Sequence, residues 1–144
     1  MSDSTIFEQI IDGEIPAEIV HETDEAIAFL DANPLAPGHT LVVPKEPYGR
    51  LRETPAELST AVFDLVRTMA PAIEDAVDAD ATTIGINDGP AAGQEVPHLH
   101  VHIVPRFEGD GGGPIHAVMG GADTGVEETD ASEIAAAIEA ELES

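Results

Sequence analysis

Apolar residues recur along this chain with two periods, and each switch between them marks an element. Over TIFEQIID, Ile6, Phe7, Ile10 and Ile11 fall at helical spacing, and Gly13 closes the segment. EIVHET and EAIAFLD follow, short stretches of β-branched and apolar residues divided around Thr23 and Asp24, which predict a hairpin. NPLAPG is a turn-rich connection, since its prolines and glycine disfavour helix, and HTLVVP is a buried strand ended by Pro44. The helical period returns after Thr54. Thr54 is placed to cap, Pro55 suits the first helical position, and Glu57 can reach back to the cap. Leu58, Val62, Leu65, Val66 and Met69 continue one face, and Pro71 predicts a kink or restart before the helix ends near Ala79.

TTIGIN then predicts a strand, GPAAGQEVP a loop, and HLHVHIVP a further strand. The segment 108–125 is glycine-rich and expected to be mobile. Asp130 followed by Glu133 opens a closing helix over 131–143, with Ile134, Ile138 and Leu142 as its apolar stripe. Strands dominate this order, with one long helix inserted and one at the end. The expected class is α+β, an antiparallel sheet in a single domain spanning residues 1–144.

Composition narrows the picture. The chain is 42% hydrophobic but only 3% aromatic and has no tryptophan, so its core must be built from Ile, Val, Leu and Ala. Without cysteine there is neither a disulfide nor a thiolate metal site. No stretch approaches the ~20 apolar residues of a membrane span, and MSDSTIFEQ has no signal-peptide pattern. The expectation is a cytoplasmic protein with no membrane partner.

Asp and Glu number 29 against five Lys plus Arg, a formal charge of −24. Nothing resembles a basic patch, which argues against nucleic-acid binding. A folded chain this acidic repels itself in dilute salt, and the repulsion is screened when the Debye length falls to about 3 Å at molar salt. The acidic surface therefore reads as halophilic, adapted to a salt-rich cytoplasm.

The candidate chemistry lies in VPHLHVHIVPR. His98, His100 and His102 are half of the six histidines, each separated by one aliphatic residue. On a strand they project to one face, ~6.6 Å apart, while Leu99, Val101 and Ile103 enter the core. Histidine pairs on strands can bind a metal. Alternatively, one imidazole is a nucleophile and its neighbours orient it, contact an anion and move protons. The preceding GPAAGQEVP favours the second reading, because a glycine-containing turn offers backbone N–H groups to an anion without any lysine.

His-Leu-His-Val-His-Ile-Val, from His98 to Val104, resembles the histidine triad (HIT) motif. The blocks IFEQIIDGEIPAEIV, FLDANPLAPGHTLVVPK and IGINDGPAAGQEVPHLHVHIVPR resemble HIT proteins in the same order, from Ile6 to Arg106. The nearest branch is the Hint-like nucleoside phosphoramidate hydrolases, with Fhit-like diadenosine polyphosphate hydrolases next. The resemblance implies an HIT-like antiparallel sheet, a homodimer, and no metal or other cofactor in the chemistry. His100 would attack the α-phosphorus of a purine nucleotide conjugate, and water would release the nucleoside monophosphate from a nucleotidyl-histidine.

By the same resemblance, His98 and His39 would orient the site, and His102 would contact phosphate or the leaving group. Asn87, Gly93, Gln94 and Glu95 match the phosphate-contacting segment. Asp31 matches the residue that holds the ribose hydroxyls, a carboxylate meeting a vicinal diol. Ile6, Phe7 and Ile10 match the apolar wall around the base. Rival readings are a dinucleoside polyphosphate hydrolase, a nucleotidyl transferase of the same family, or a nucleotide-binding regulatory protein.

The resemblance also implies an absence. Many Hint-like relatives hold a structural zinc with Cys-x-x-Cys and two histidines. Here Thr5 and Glu8 stand at the cysteine positions and Pro47 at one histidine position, so no zinc is expected. His98 is then free for other bonds. Glu95, where some relatives carry Ser or Thr, cannot donate when ionised, leaving its backbone N–H for phosphate.

Because an anionic substrate must approach a −24 chain, affinity for a nucleoside monophosphate and association of the dimer are both expected to strengthen from dilute buffer to molar salt. Titration calorimetry and sedimentation across that range test this, and flat behaviour contradicts it.

Overall fold

Local sequence chemistry sets the first element. The Glu8 amide donates to the Thr5 hydroxyl and the Thr5 amide donates to the Glu8 carboxylate, a reciprocal cap that starts helix α1 at Ile6–Ile11. The computed structural model describes residues 4–144, and these form two compact units that meet in sequence at Gly112 and Gly113.

In the first unit the hairpin expected around Thr23 is strands β1 (Ile19–Glu22) and β2 (Ala26–Leu30), followed by β3 (Thr40–Pro44). Helix α2 covers Ala56–Val77, β4 Ala81–Gly85 and β5 Val101–Arg106. The strands form one antiparallel sheet in the order β1-β2-β3-β5-β4. Thus the last strand is inserted between β3 and β4, and His102 pairs with Leu41 on one side and Gly85 on the other.

The two-residue alternation of the strands sorts their side chains onto two cores. Ala26, Ala28, Val42, Val101 and Ile103 pack with Val62, Leu65, Val66, Met69 and Ile73 of α2. The small Ala26 and Ala28 side chains admit the helix close to the sheet. Ile27, Phe29, Leu41 and Val43 face the other way and pack with Phe7 and Ile10 of α1. The strand β5 positions that alternate with Val101 and Ile103 therefore belong to the α1 side.

Three expectations are corrected. The predicted Thr54–Glu57 capping box does not form: Pro55 is the N-cap residue without a side-chain bond, and the Thr54 hydroxyl donates to the Arg50 carbonyl instead. Helix α2 runs unbroken through Pro71, an exposed position where the carbonyl left without an N–H partner can turn to water. Strand β5 begins at Val101, not at His98. Pro97 has no N–H for a ladder, and the His98 amide turns back to the Val96 carbonyl.

The second unit, from Gly113, holds 3₁₀ turns at Ile115–Met119 and Val126–Glu128 and helix α3 at Ala131–Glu143. The Ile115–Met119 turn gives the glycine-rich segment local structure. Asp130 caps α3 as its position predicts, its carboxylate accepting from the Ser132 and Glu133 amides. Ile134, Ile138 and Leu142 are exposed. No helix among the described residues is long and apolar enough to cross a membrane.

Gly38, between β2 and β3, has φ of +91°, and a Cβ there would lie 2.9 Å from Val77 Cγ1 and 3.3 Å from Pro105 Cγ. Gly13 has φ of +79° but open space around it. Gly13→Ala is expected to cost about 1–2 kcal/mol, the strain of a left-handed alanine. Gly38→Ala adds a collision and should cost clearly more; urea unfolding of both variants measures the difference, and equal losses would contradict this reading.

Candidate active site

Imidazole carries one donor and one acceptor when neutral, so its partners reveal its tautomer. His98 is fully buried. Its Nε2 lies 2.8 Å from the Pro44 carbonyl, which only accepts, so Nε2 carries the proton. Its Nδ1 then accepts from the Thr5 hydroxyl at 2.8 Å. Both nitrogens are engaged, and the ring ties the start of α1 to the end of β3. Burial pushes the His98 pKa below its ordinary value, in keeping with a neutral ring.

His100, 8% exposed, donates from Nδ1 to the His98 carbonyl at 2.7 Å. A neutral ring protonated there has a bare Nε2 lone pair, the requirement for a nucleophile. Phe7 meets this ring edge-on, with centroids 4.9 Å apart, and also touches His98 at 5.7 Å. Phe7 and Ile10 are thus buried packing residues, while Ile6 of the same helix is 47% exposed.

The His102 ring lies 5.1 Å from that of His100, and its Nδ1 is 2.9 Å from His39 Nε2. His39 is 2% exposed, and its Nδ1 accepts from the Leu35 amide at 3.0 Å. Burial lowers the His39 pKa against the opposing pull of Asp31, and desolvation drives His102 down to about 4. Asp31 completes the group: Oδ2 lies 3.5 Å from His39 Nε2, and Oδ1 accepts from the Asn33 amide.

Asp31, His39 and His102 bring possible metal-ligand atoms within 4.8 Å of one another. The His39–His102 bond already uses one ring's proton and the other's lone pair, so a metal would have to break it. The zinc positions inferred from sequence also fail to fit the ion. Thr5 and His98 satisfy one another, the Glu8 carboxylate is held in the α1 cap, and Pro47 has no side-chain donor.

The 87–95 segment is less open than its sequence suggests. The amides of Gly89, Ala92, Gly93 and Gln94 all bond within the loop, and the Gln94 side chain is consumed by the Gly89 amide and the Gly49 and Val96 carbonyls. Gln94 is therefore a staple. Gly93 and Glu95 are exposed; the Glu95 amide has no partner among the described residues, nor has the exposed Asn87 side chain. Arg50, which the pattern did not single out, lies against Gly89, where a Cβ would be 3.2 Å from its guanidinium carbon, and pairs with Asp88. Thr5 and the Leu35 amide were also missed as partners. A hydroxyl at a cap leaves no signal that points to a histidine 93 residues on, and a backbone N–H is common to nearly every residue.

The HIT domain family model matches residues 12–109. The chain is 39% identical over 110 residues to the adenylylsulfatase HINT3 of Arabidopsis thaliana, covering 76% of this chain and 56% of that one. It is 43% identical over 97 residues to the asymmetrical bis(5'-nucleosyl)-tetraphosphatase of Schizosaccharomyces pombe, covering 67% and 53%. It thus spans little more than half the length of these two relatives. Among solved structures, an HIT family protein from Bacillus subtilis superposes with TM-score 0.81 at 34% identity, covering 94% and 95% of the two chains. A zinc-bound histidine triad family protein from Mycobacterium smegmatis gives 0.72 at 38%, covering 75% and 78%.

The Thr5 hydroxyl both caps α1 and donates to His98. Thr5→Val is expected to cost about 1–3 kcal/mol in urea unfolding, leaving a buried ring nitrogen and a helix amide without partners. Thr5→Ser keeps both bonds and should retain most of the stability; equal behaviour of the two variants would show that the hydroxyl contributes nothing.

Proposed function

The chain belongs to the HIT family, and from that premise we propose that it hydrolyses purine nucleoside phosphoramidates or related nucleotidyl conjugates through a covalent intermediate at His100. One observation carries the reading: the His98 carbonyl 2.7 Å from His100 Nδ1 takes that nitrogen's proton, so that in the neutral ring the lone pair is on Nε2. In the first step that lone pair forms a bond to the α-phosphorus while the phosphorus–nitrogen bond of the substrate breaks. The leaving nitrogen takes up a proton and departs as an amine. In the second step water adds to phosphorus, the phosphorus–Nε2 bond breaks, and the water gives up a proton. Nucleoside monophosphate and neutral His100 result.

Asp31 is assigned to the ribose hydroxyls, the Glu95 amide and His102 to phosphoryl oxygens, and Ile6 to the base. His98 and His39 hold the other rings in place. Charge supports an uncharged leaving group over a polyphosphate. Lys45, Arg50 and Arg106 are paired with Glu22, Asp88 and Asp110, while Asp31 lies beside the rings. A polyphosphate would bring further negative charge towards Asp31. The proposal includes a cytoplasmic homodimer; β4 is an edge strand whose Ile84 is 43% exposed.

His100→Asn is expected to lower turnover of an adenosine phosphoramidate by at least about 10³-fold, the scale of losing a covalent route, while adenosine monophosphate binding persists. Mass spectrometry of the quenched native reaction should place one nucleotidyl group on His100. Near-native turnover by the variant would sink the assignment. Faster cleavage of a diadenosine polyphosphate than of the phosphoramidate would move the protein to the rival substrate class.

A further inference from the structure

The His98 carbonyl, which faces His100 Nδ1 at 2.7 Å, lies outside the sheet. Strand β5 and its pairing with β3 begin at Val101, so the backbone over 98–100 is held by other means. Its amides turn to loops. That of His98 donates to the Val96 carbonyl at 2.8 Å, and that of Leu99 to the Tyr48 carbonyl at 2.7 Å.

The His98 ring supplies a further anchor. Its Nε2 donates to the Pro44 carbonyl and its Nδ1 accepts from the Thr5 hydroxyl, each at 2.8 Å, so the ring is gripped between the end of β3 and the start of α1. A hydroxyl that rotates freely would grip poorly. Here the Glu8 amide donates to the Thr5 oxygen at 3.1 Å, and the Glu8 carboxylate accepts from the Thr5 amide at 2.9 Å. With a lone pair taken by that amide, the one proton of the hydroxyl is directed at His98. Two residues on, Phe7 packs edge-on against both His98 and His100, with centroids 5.7 and 4.9 Å apart.

We propose that Thr5 is a positioning residue for His100. Its hydroxyl fixes the His98 ring, the fixed ring holds the His98 carbonyl, and that carbonyl keeps the His100 proton on Nδ1. The cap that starts α1 thereby aims the Nε2 lone pair, without itself touching substrate. The kinetic consequence rests on the hydrolase reading above, whereas the latch between Thr5 and His100 does not. Aim matters because a nucleophile displaced by about 1 Å loses on the order of a hundred-fold in rate.

The test compares kinetics and histidine spectra of the full chain and its Thr5 variants. Thr5→Val keeps the shape and removes the hydroxyl; kcat on an adenosine phosphoramidate should fall about ten- to a hundred-fold, with KM and adenosine monophosphate affinity unchanged. Thr5→Ser should restore kcat. Gly13→Ala, at the other end of α1 with open space around it, is expected to lose stability yet keep kcat. Two-bond ¹H–¹⁵N correlation, above the pH at which His100 titrates, should show native His98 as the Nε2–H and native His100 as the Nδ1–H tautomer. In Thr5→Val, His100 should populate both. Should Thr5→Val fail to fold, Thr5→Cys, a weaker donor of similar shape, should give an intermediate kcat. Native kcat in Thr5→Val or Thr5→Cys overturns the latch. So do a native His98 protonated on Nδ1, no recovery in Thr5→Ser, and an equal fall in Gly13→Ala. A chain with the expected tautomers that never forms a nucleotidyl-histidine overturns the hydrolase reading, and the His100 spectrum of Thr5→Val then decides the latch alone.

Discussion

A buried neutral imidazole has one proton to give and one lone pair to fill, and the site follows from meeting both demands in every ring. Burial takes such a ring away from solvent, so each unmet buried nitrogen carries a desolvation cost. Thr5 and Pro44 complete His98; Leu35 and His102 complete His39. The His98 carbonyl takes one side of His100. What remains is one lone pair on His100 and one N–H on His102, opposite in character and carried by adjacent rings. Under the proposed function that remainder supplies a nucleophile and a donor for the group it attacks.

The sheet makes this arrangement rigid. Val101 and Ile103 are fully buried on the α2 side, which leaves the alternating ring His102 on the α1 side, where Phe7 packs the preceding histidines. Inserting β5 between β3 and β4 gives the triad strand a neighbour on each side. His39 then arrives just before β3, the strand paired with that of His102, and the two rings meet there. Precision here comes from strands, as it should where a ring must stay within hydrogen-bond distance of its partner.

Charge divides the chain into two electrostatic problems. The formal −24 is a matter of solubility and salt, and it is carried by carboxylates on exposed positions. Under the proposed function the site has a different problem, that of holding an anion with few cations available. Its answer is neutral donors, the His102 N–H and the Glu95 amide. They are insensitive to salt because they carry no net charge. They also spare the site the burial of an unpaired cation.

Much of this was legible beforehand. Alternation of apolar residues specified the strands, the Asp130 cap specified where the closing helix begins, and the triad spacing marked the strand that carries the candidate site. Those features depend on neighbours in sequence, which is why they can be read from it. The Thr54 cap failed because the Arg50 carbonyl competed for the hydroxyl. Pro71 did not break α2 because that face of the helix is open to water, and His98 fell outside the strand because Pro97 bends the approach. The tertiary structure alone decided that Gln94 is a staple, that Thr5 completes His98, and that the Leu35 amide and His102 take the two nitrogens of His39. Each of those outcomes is a choice of hydrogen-bond partner made in the folded chain, and such a choice leaves no period or composition for the sequence to display.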